Sequence, residues 1–243
     1  MAALWDYLRR SRQDVDTVGL HKVTLTKASP VVSLTEQGAV TGHLQINLHW
    51  TMREADLVQQ RGGGLLRQAL FRPTQPQGPN RAMVDVDLDL ACMYELTDGS
   101  RGVIQPLGNF LGDLQNPPYI KLSGDDRYGA PSGETMYVNL DKRDRFRRLL
   151  IFVYIYDGTP AFDRTHAVVT LFPYAGPRIE VSLDERAPQA RSCAVVMIEN
   201  KDGNLTVRRE VRYVYGFQAE LDRLYGFGMQ WQRGYKANSG GTD

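Results

Sequence analysis

Along most of the chain, apolar and polar residues alternate with a period of two. That is the pattern of strands with one face in a core and the other toward water. Val23 and Leu25, then Val32 and Leu34, then Leu44, Ile46 and Leu48 show it first, broken at Ser29-Pro30 and Gln37-Gly38, and they predict three strands in a meander. The alternation returns over 84–90, where Val84, Val86, Leu88 and Leu90 line one face and Asp85, Asp87 and Asp89 the other. Asp98-Gly99 predicts a hairpin turn with a returning strand at 102–107. Further strands are predicted at 119–122 and 136–140, after a break at Asn116-Pro117-Pro118. The run 149–156 is almost continuously apolar, as in a strand buried on both faces. Strands at 167–172, 178–183, 192–200 and 205–214 follow, the last two joined by a turn at Lys201-Asp202-Gly203-Asn204. A helical turn is expected at 218–225 and an aromatic-rich closing strand at 227–235. Many short strands with turn signals between them indicate an all-β protein, a two-sheet β-sandwich with short helical insertions.

Three stretches depart from this pattern. Residues 1–19 form an N-terminal extension in which Leu4, Trp5 and Leu8 recur at helical spacing beside Arg9, Arg10 and Arg12. Residues 53–81 read as an insertion loop: Gly62-Gly63-Gly64 precedes the apolar Leu65, Leu66, Leu70 and Phe71, and prolines follow. The Walker pattern needs a lysine followed by Ser or Thr, and neither follows these glycines. Residues 237–243 read as a disordered tail, which leaves 20–236 as the sandwich domain.

Composition narrows the function classes. A formal net charge of +1 on 243 residues gives no global field for nucleic acid, so no nucleic-acid partner is expected. Cys92 and Cys193 are the two cysteines, which argues against a disulfide scaffold and for a reducing, cytoplasmic setting. No secretory leader and no run long enough to cross a bilayer is evident in the sequence. Alternation from Leu90 puts Cys92 on the apolar face, as a core thiol. His43 and His49 share a strand face and are read as solvated or satisfied in the core rather than as a metal pair. The basic residues Lys142, Arg143, Arg145, Arg147 and Arg148 read as a solvated turn at a strand entry. A Gly-x-Ser-x-Gly elbow, a His-Glu-x-x-His helix and a zinc-type cysteine cluster are all missing, so no enzymatic activity is expected.

The candidate chemistry lies in the acids of 84–134. Asp85, Asp87 and Asp89 repel one another unless water or a cation separates them. A glycine-containing loop downstream carries Asp125 and Asp126 and closes on Glu134. Calcium takes many oxygen ligands in flexible geometry, which two such segments can supply. Strand residues two apart are separated by about 6.6 Å, so Asp85 and Asp89, about 13 Å apart, do not share one ion easily. Asp87 and Asp89 with Asp125 and Glu134 make the favoured set, with Asp126 auxiliary.

These residues bring out a family likeness. Leu25-Thr26-Lys27, Val32-Ser33-Leu34, Leu48-His49-Trp50, Asp85-Val86-Asp87-Leu88-Asp89, Ser123-Gly124-Asp125-Asp126 with Gly129 and Glu134, Leu140-Asp141 and Tyr225-Gly226-Phe227 occur in an order and spacing that resembles the TerD family. These are bacterial tellurium-resistance and stress-response proteins. The resemblance runs from about residue 23 to 235. It implies a two-sheet sandwich that binds calcium through the acidic strand and loop. It also implies a role in resistance to tellurite, other chemical stress or phage, among other stress-response proteins and with peripheral membrane association. The loop here is shorter than the family pattern, and Ala130-Pro131-Ser132 stands where acids are expected, so one calcium site is expected rather than two. Two other functions fit the sequence less well: an interaction scaffold with a degenerate metal site, and a metal-assisted hydrolase, which would need a base beside the ion.

Overall fold

A computed structural model describes residues 22–51, 86–123, 133–157 and 161–232. The extension 1–19, the insertion 53–81, the tail 237–243 and the candidate ligands Asp85, Asp125 and Asp126 lie outside the described residues. The strands are β1 (Lys22–Thr24), β2 (Val31–Ser33), β3 (His43–His49), β4 (Asp87–Leu96), β5 (Arg101–Ile104), β6 (Gly112–Asp113) and β7 (Ile120–Leu122). They continue with β8 (Glu134–Asn139), β9 (Phe146–Asp157), β10 (Val168–Pro173), β11 (Arg178–Ser182), β12 (Ser192–Lys201) and β13 (Asn204–Val214). One α-helix is described, α1 (Gln218–Tyr225). The first sheet runs β1-β11-β10-β3-β8-β7-β6 and the second β2-β13-β12-β9-β4-β5. The fold is therefore an all-β two-sheet sandwich, as the alternation predicts.

Two predicted arrangements are corrected. The first three strands do not form a meander: β1 pairs with β11 and β3 with β10 and β8 in the first sheet, while β2 pairs with β13 in the second. The connections 25–30 and 34–42 are longer than a tight hairpin turn, so the chain crosses between sheets at each of them. Period two places a residue on the core face but does not choose its neighbour. The closing strand at 227–235 is not present among the described residues, which run to 232. There Gly228 and Met229 give their N–H groups to the Asp222 carboxylate, and the Trp231 indole donates to it at 2.7 Å. A side chain takes the donors that a ladder would need.

Two cores result. Between the sheets, Leu44, Ile46 and Leu48 of β3 share one cluster with Leu88, Leu90 and Cys92 of β4 and Ile151 and Val153 of β9. On the outer face of the second sheet a smaller cluster holds Ala91, Met93, Leu150, Phe152, Tyr154, Ala194 and Met197. It is covered by Leu221 of α1 and by Phe227. Both faces of β9 are thus dry, which is why its sequence is apolar without alternation. Helix α1 ends at Gly226, whose left-handed φ of 65° and ψ of 43° suit a residue without Cβ. The turn drives Phe227 into the outer cluster.

Candidate metal-binding pole

The second sheet has two chemically distinct ends. The antiparallel register of β4 and β9 sets Asp87 beside Asp157 at one end and Glu95 beside Arg148 at the other. Strand alternation holds through β4: Leu88 and Leu90 face the inner core, and Asp87 and Asp89 the opposite face. That opposite face is not the solvated edge that the alternation implies. Asp89 is fully buried and Asp87 is 7% exposed, because the outer cluster continues over this face, and Asp89 has Tyr154 as its cross-strand neighbour.

Glu134 arrives from the other sheet. It opens β8 opposite Leu48, a core residue of β3, so its side chain points between the sheets. There its carboxylate accepts the backbone N–H of Leu90 at 2.6 Å, one peptide bond from Asp89. Tertiary structure thus brings Glu134 to the Leu90 amide across 44 residues of sequence. A second cross-sheet tie lies close by: the Trp50 indole, just beyond β3, donates to the Val86 carbonyl at 2.8 Å. The base of the 124–132 segment is closed by a hydrogen bond from Ser123 N–H to the Thr135 carbonyl. Gly133 has φ +61°, and a Cβ there would stand 2.0 Å from the Leu48 carbonyl oxygen, so the position accepts glycine alone.

Asp87 and Asp89 on the outer face of β4, the exposed Asp157 beside Asp87, and Glu134 on the inner side thus lie at the same end of the sandwich. Carboxylates offer only hard oxygen donors, and Asp87 and Asp157 stand opposite one another in the register of β4 and β9. That donor chemistry fits calcium rather than zinc. Among the described residues, no three His, Cys, Asp or Glu side chains converge closely enough to hold an ion by themselves. Asp157 was not singled out in the sequence. Its one signal was the Asp157-Gly158 pair that ends an apolar strand, which reads equally as a turn.

At the opposite pole the carboxylate is already neutralised. Glu95, 1% exposed, accepts from Arg148 Nε at 2.7 Å, Arg147 Nη1 at 3.0 Å and Arg101 Nη2 at 3.1 Å. Burial pushes the Glu95 pKa upward, but the hydrogen bond and charge of Arg148, with the charges of Arg101 and Arg147, outweigh it and hold the carboxyl below its usual range. Arg148 also donates to the carbonyls of Tyr225 and Gly226, where the helix C-terminus favours a cation, and lies 4.2 Å from the Phe227 ring centroid. Arg101 donates to the Phe227 carbonyl at 2.9 Å. The C-terminal helix is thereby fastened to the sheet.

The basic residues at 142–148 are thus a correction in part. Instead of a merely solvated turn, Arg147 and Arg148 hold Glu95, and Arg143 donates to the Val40 carbonyl. Lys142 and Arg145 remain exposed. Cys92 is a core thiol, fully buried in the inner cluster and free of any disulfide, and burial raises its pKa well beyond the usual range. His43 and His49 are exposed on the outer face of the first sheet, so they are solvated. No helix among the described residues is long and apolar enough to cross a membrane.

No protein-family model matches the chain. The chain is 38% identical over 220 residues to the tellurium resistance protein TerA of an Alcaligenes species. The match covers 90% of this chain but 60% of that protein, so the chain spans less than two thirds of the curated relative's length.

Proposed function

Since the chain is a TerD-like protein of the tellurium-resistance family, we propose that it is a calcium-binding stress-response protein of the tellurium-resistance type, a non-enzymatic module of a larger cytoplasmic assembly. The observation that carries this reading is the burial of carboxylates from both sheets at one end of the sandwich, Asp87 and Asp89 on the outer face of β4 and Glu134 at the Leu90 amide on its inner side. Carboxylates removed from water are costly unless hydrogen bonds or a cation compensate them. Asp87, Asp89 and Glu134 would hold one ion, with Asp125 and, as an auxiliary, Asp126 from outside the described residues. Calcium, when bound, would supply positive charge against these carboxylates. The residues themselves do the rest: β4 and β8 fix the carboxylates in register, and the dry cores keep them from rearranging. The reading makes the protein's task one of shape, a docking surface completed by an ion, with other stress-response proteins as its partners. It needs no general base or nucleophile at the pole.

Calorimetric titration and thermal melting of the full chain test it. Saturating calcium at a hundredfold excess over its dissociation constant should stabilise the fold by about 2.7 kcal/mol. The double substitution Asp87→Asn with Asp89→Asn should abolish both the heat and the stabilisation. A wild-type protein that gives neither at millimolar calcium ends the reading.

A further inference from the structure

We propose that Glu134 is a positioning residue: a latch that joins the two sheets at the acidic pole and sets the place of Asp89 before any ion arrives. Three placements carry this. First, β5 ends at Ile104, opposite Cys92, so Leu90 lies beyond the last residue of β5 on the open edge of β4. The partner strand on the other side, β9, takes that side of β4 in antiparallel pairing. The outward N–H of Leu90 is a ladder donor with no strand to receive it, and the Glu134 carboxylate receives it instead. Second, the contact is buried and charge-assisted: Glu134 is 1% exposed and the distance is 2.6 Å, so the bond is of the strong class. Third, Glu134 has little freedom to leave. The preceding Gly133 is pressed against the Leu48 carbonyl, and the backbone carbonyl of Glu134 accepts from the Asn47 side-chain amide at 3.2 Å.

A residue so held acts on the ion site through position. The Leu90 N–H belongs to the peptide unit that begins at Asp89, so fixing that unit fixes the Asp89 backbone. Trp50, bonded to the Val86 carbonyl, does the same on the other flank of Asp87. The pole is therefore pre-organised from the opposite sheet by two hydrogen bonds. The latch itself stands on this geometry alone, while its consequence for ion affinity rests on the calcium reading above.

Hydrogen exchange at the Leu90 amide, read in the full chain with EDTA and again with calcium, separates the two. In EDTA, Glu134→Ala should lose protection at Leu90 by about tenfold or more, because a buried donor loses a charged acceptor. Glu134→Asp keeps the charge but is one methylene short. It should lose Leu90 protection as well, and it serves if the alanine variant does not fold. Glu134→Gln keeps an acceptor of the same length, so Leu90 should stay within a few-fold of wild type while calcium binding weakens. Asp89→Asn should leave Leu90 protection in EDTA unchanged. Wild-type Leu90 protection in Glu134→Asp or in a folded Glu134→Ala, without calcium, overturns the latch. Absence of any calcium response in the wild type overturns the calcium reading and leaves the latch to be judged by the EDTA data.

Discussion

Glu95 and Glu134 are both buried glutamates, and they solve the same problem in opposite ways at the two ends of the sandwich. Glu95 is held by three guanidiniums, each also near a backbone carbonyl or solvent, so its charge is more than balanced within the protein. Glu134 meets the peptide N–H of Leu90, and the same end of the sandwich carries Asp87 paired with Asp157. The Glu95 pole is a finished structural joint, in which surplus positive charge also secures the end of α1. The Glu134 end carries several carboxylates instead, the oxygen donors on which the proposed calcium site rests. Burial of an acid is therefore not by itself a sign of a binding site.

The sharpest way to break this contrast is to remove Glu95. Glu95→Ala leaves three partly exposed arginines around an empty position and should cost about 2–3 kcal/mol, the loss of charge-assisted hydrogen bonds whose donors can still reach water. Calcium should not change that loss, and chemical denaturation in EDTA and in calcium would check it. A loss that calcium relieves would mean the two poles are not independent.

A middle-sized effect is expected at Gly133. Gly133→Ala adds a left-handed penalty of about 1–2 kcal/mol, and the overlap with the Leu48 carbonyl adds to it. Because this residue seats Glu134, calcium affinity should fall together with stability, whereas Glu95→Ala should spare affinity. Equal affinity in Gly133→Ala and wild type would separate the seat from the site.

The smallest expected effect is in the pH profile. The Glu95 carboxyl titrates below its ordinary 4.5 in the folded chain. Its contribution is thus complete above 4.5, where the unfolded chain is also ionised, and is lost as pH falls through the lower folded value. Wild type should lose stability between these two values more steeply than Glu95→Gln does. Melting curves of both proteins from pH 5 downward, a range set by the ordinary carboxylate value of about 4.3, would show it. Parallel curves would place the acid sensitivity in other carboxylates.

Much of this was open to reading along the chain. The alternation located most strands of the two sheets, the apolar run at 149–156 identified a strand buried twice, and 218–225 marked α1. The candidate acids could be named because carboxylates at period two are rare on a strand that is otherwise apolar. What escaped were relations between segments. Glu95 and Arg148 are cross-strand neighbours, yet 53 positions apart they look like one stray acid and one basic turn. The first three strands split between sheets, and the aromatic segment after Gly226 wrapped Asp222 instead of forming a strand.

The sequence by itself determined which residues share a strand face, because the two-residue period is a property of the extended backbone and needs no partner, but not that the acidic face of β4 is also covered. It also determined the chemistry available, hard oxygen donors in one region and guanidiniums in another. Only the tertiary structure decided which charges meet. Register placed Asp87 beside Asp157 and Glu95 beside Arg148, and sheet packing carried Glu134 to the Leu90 amide. The physical reason is range. Side-chain direction is fixed by the nearest peptide units, whereas an ion pair or a cation site depends on which distant strands the core brings together.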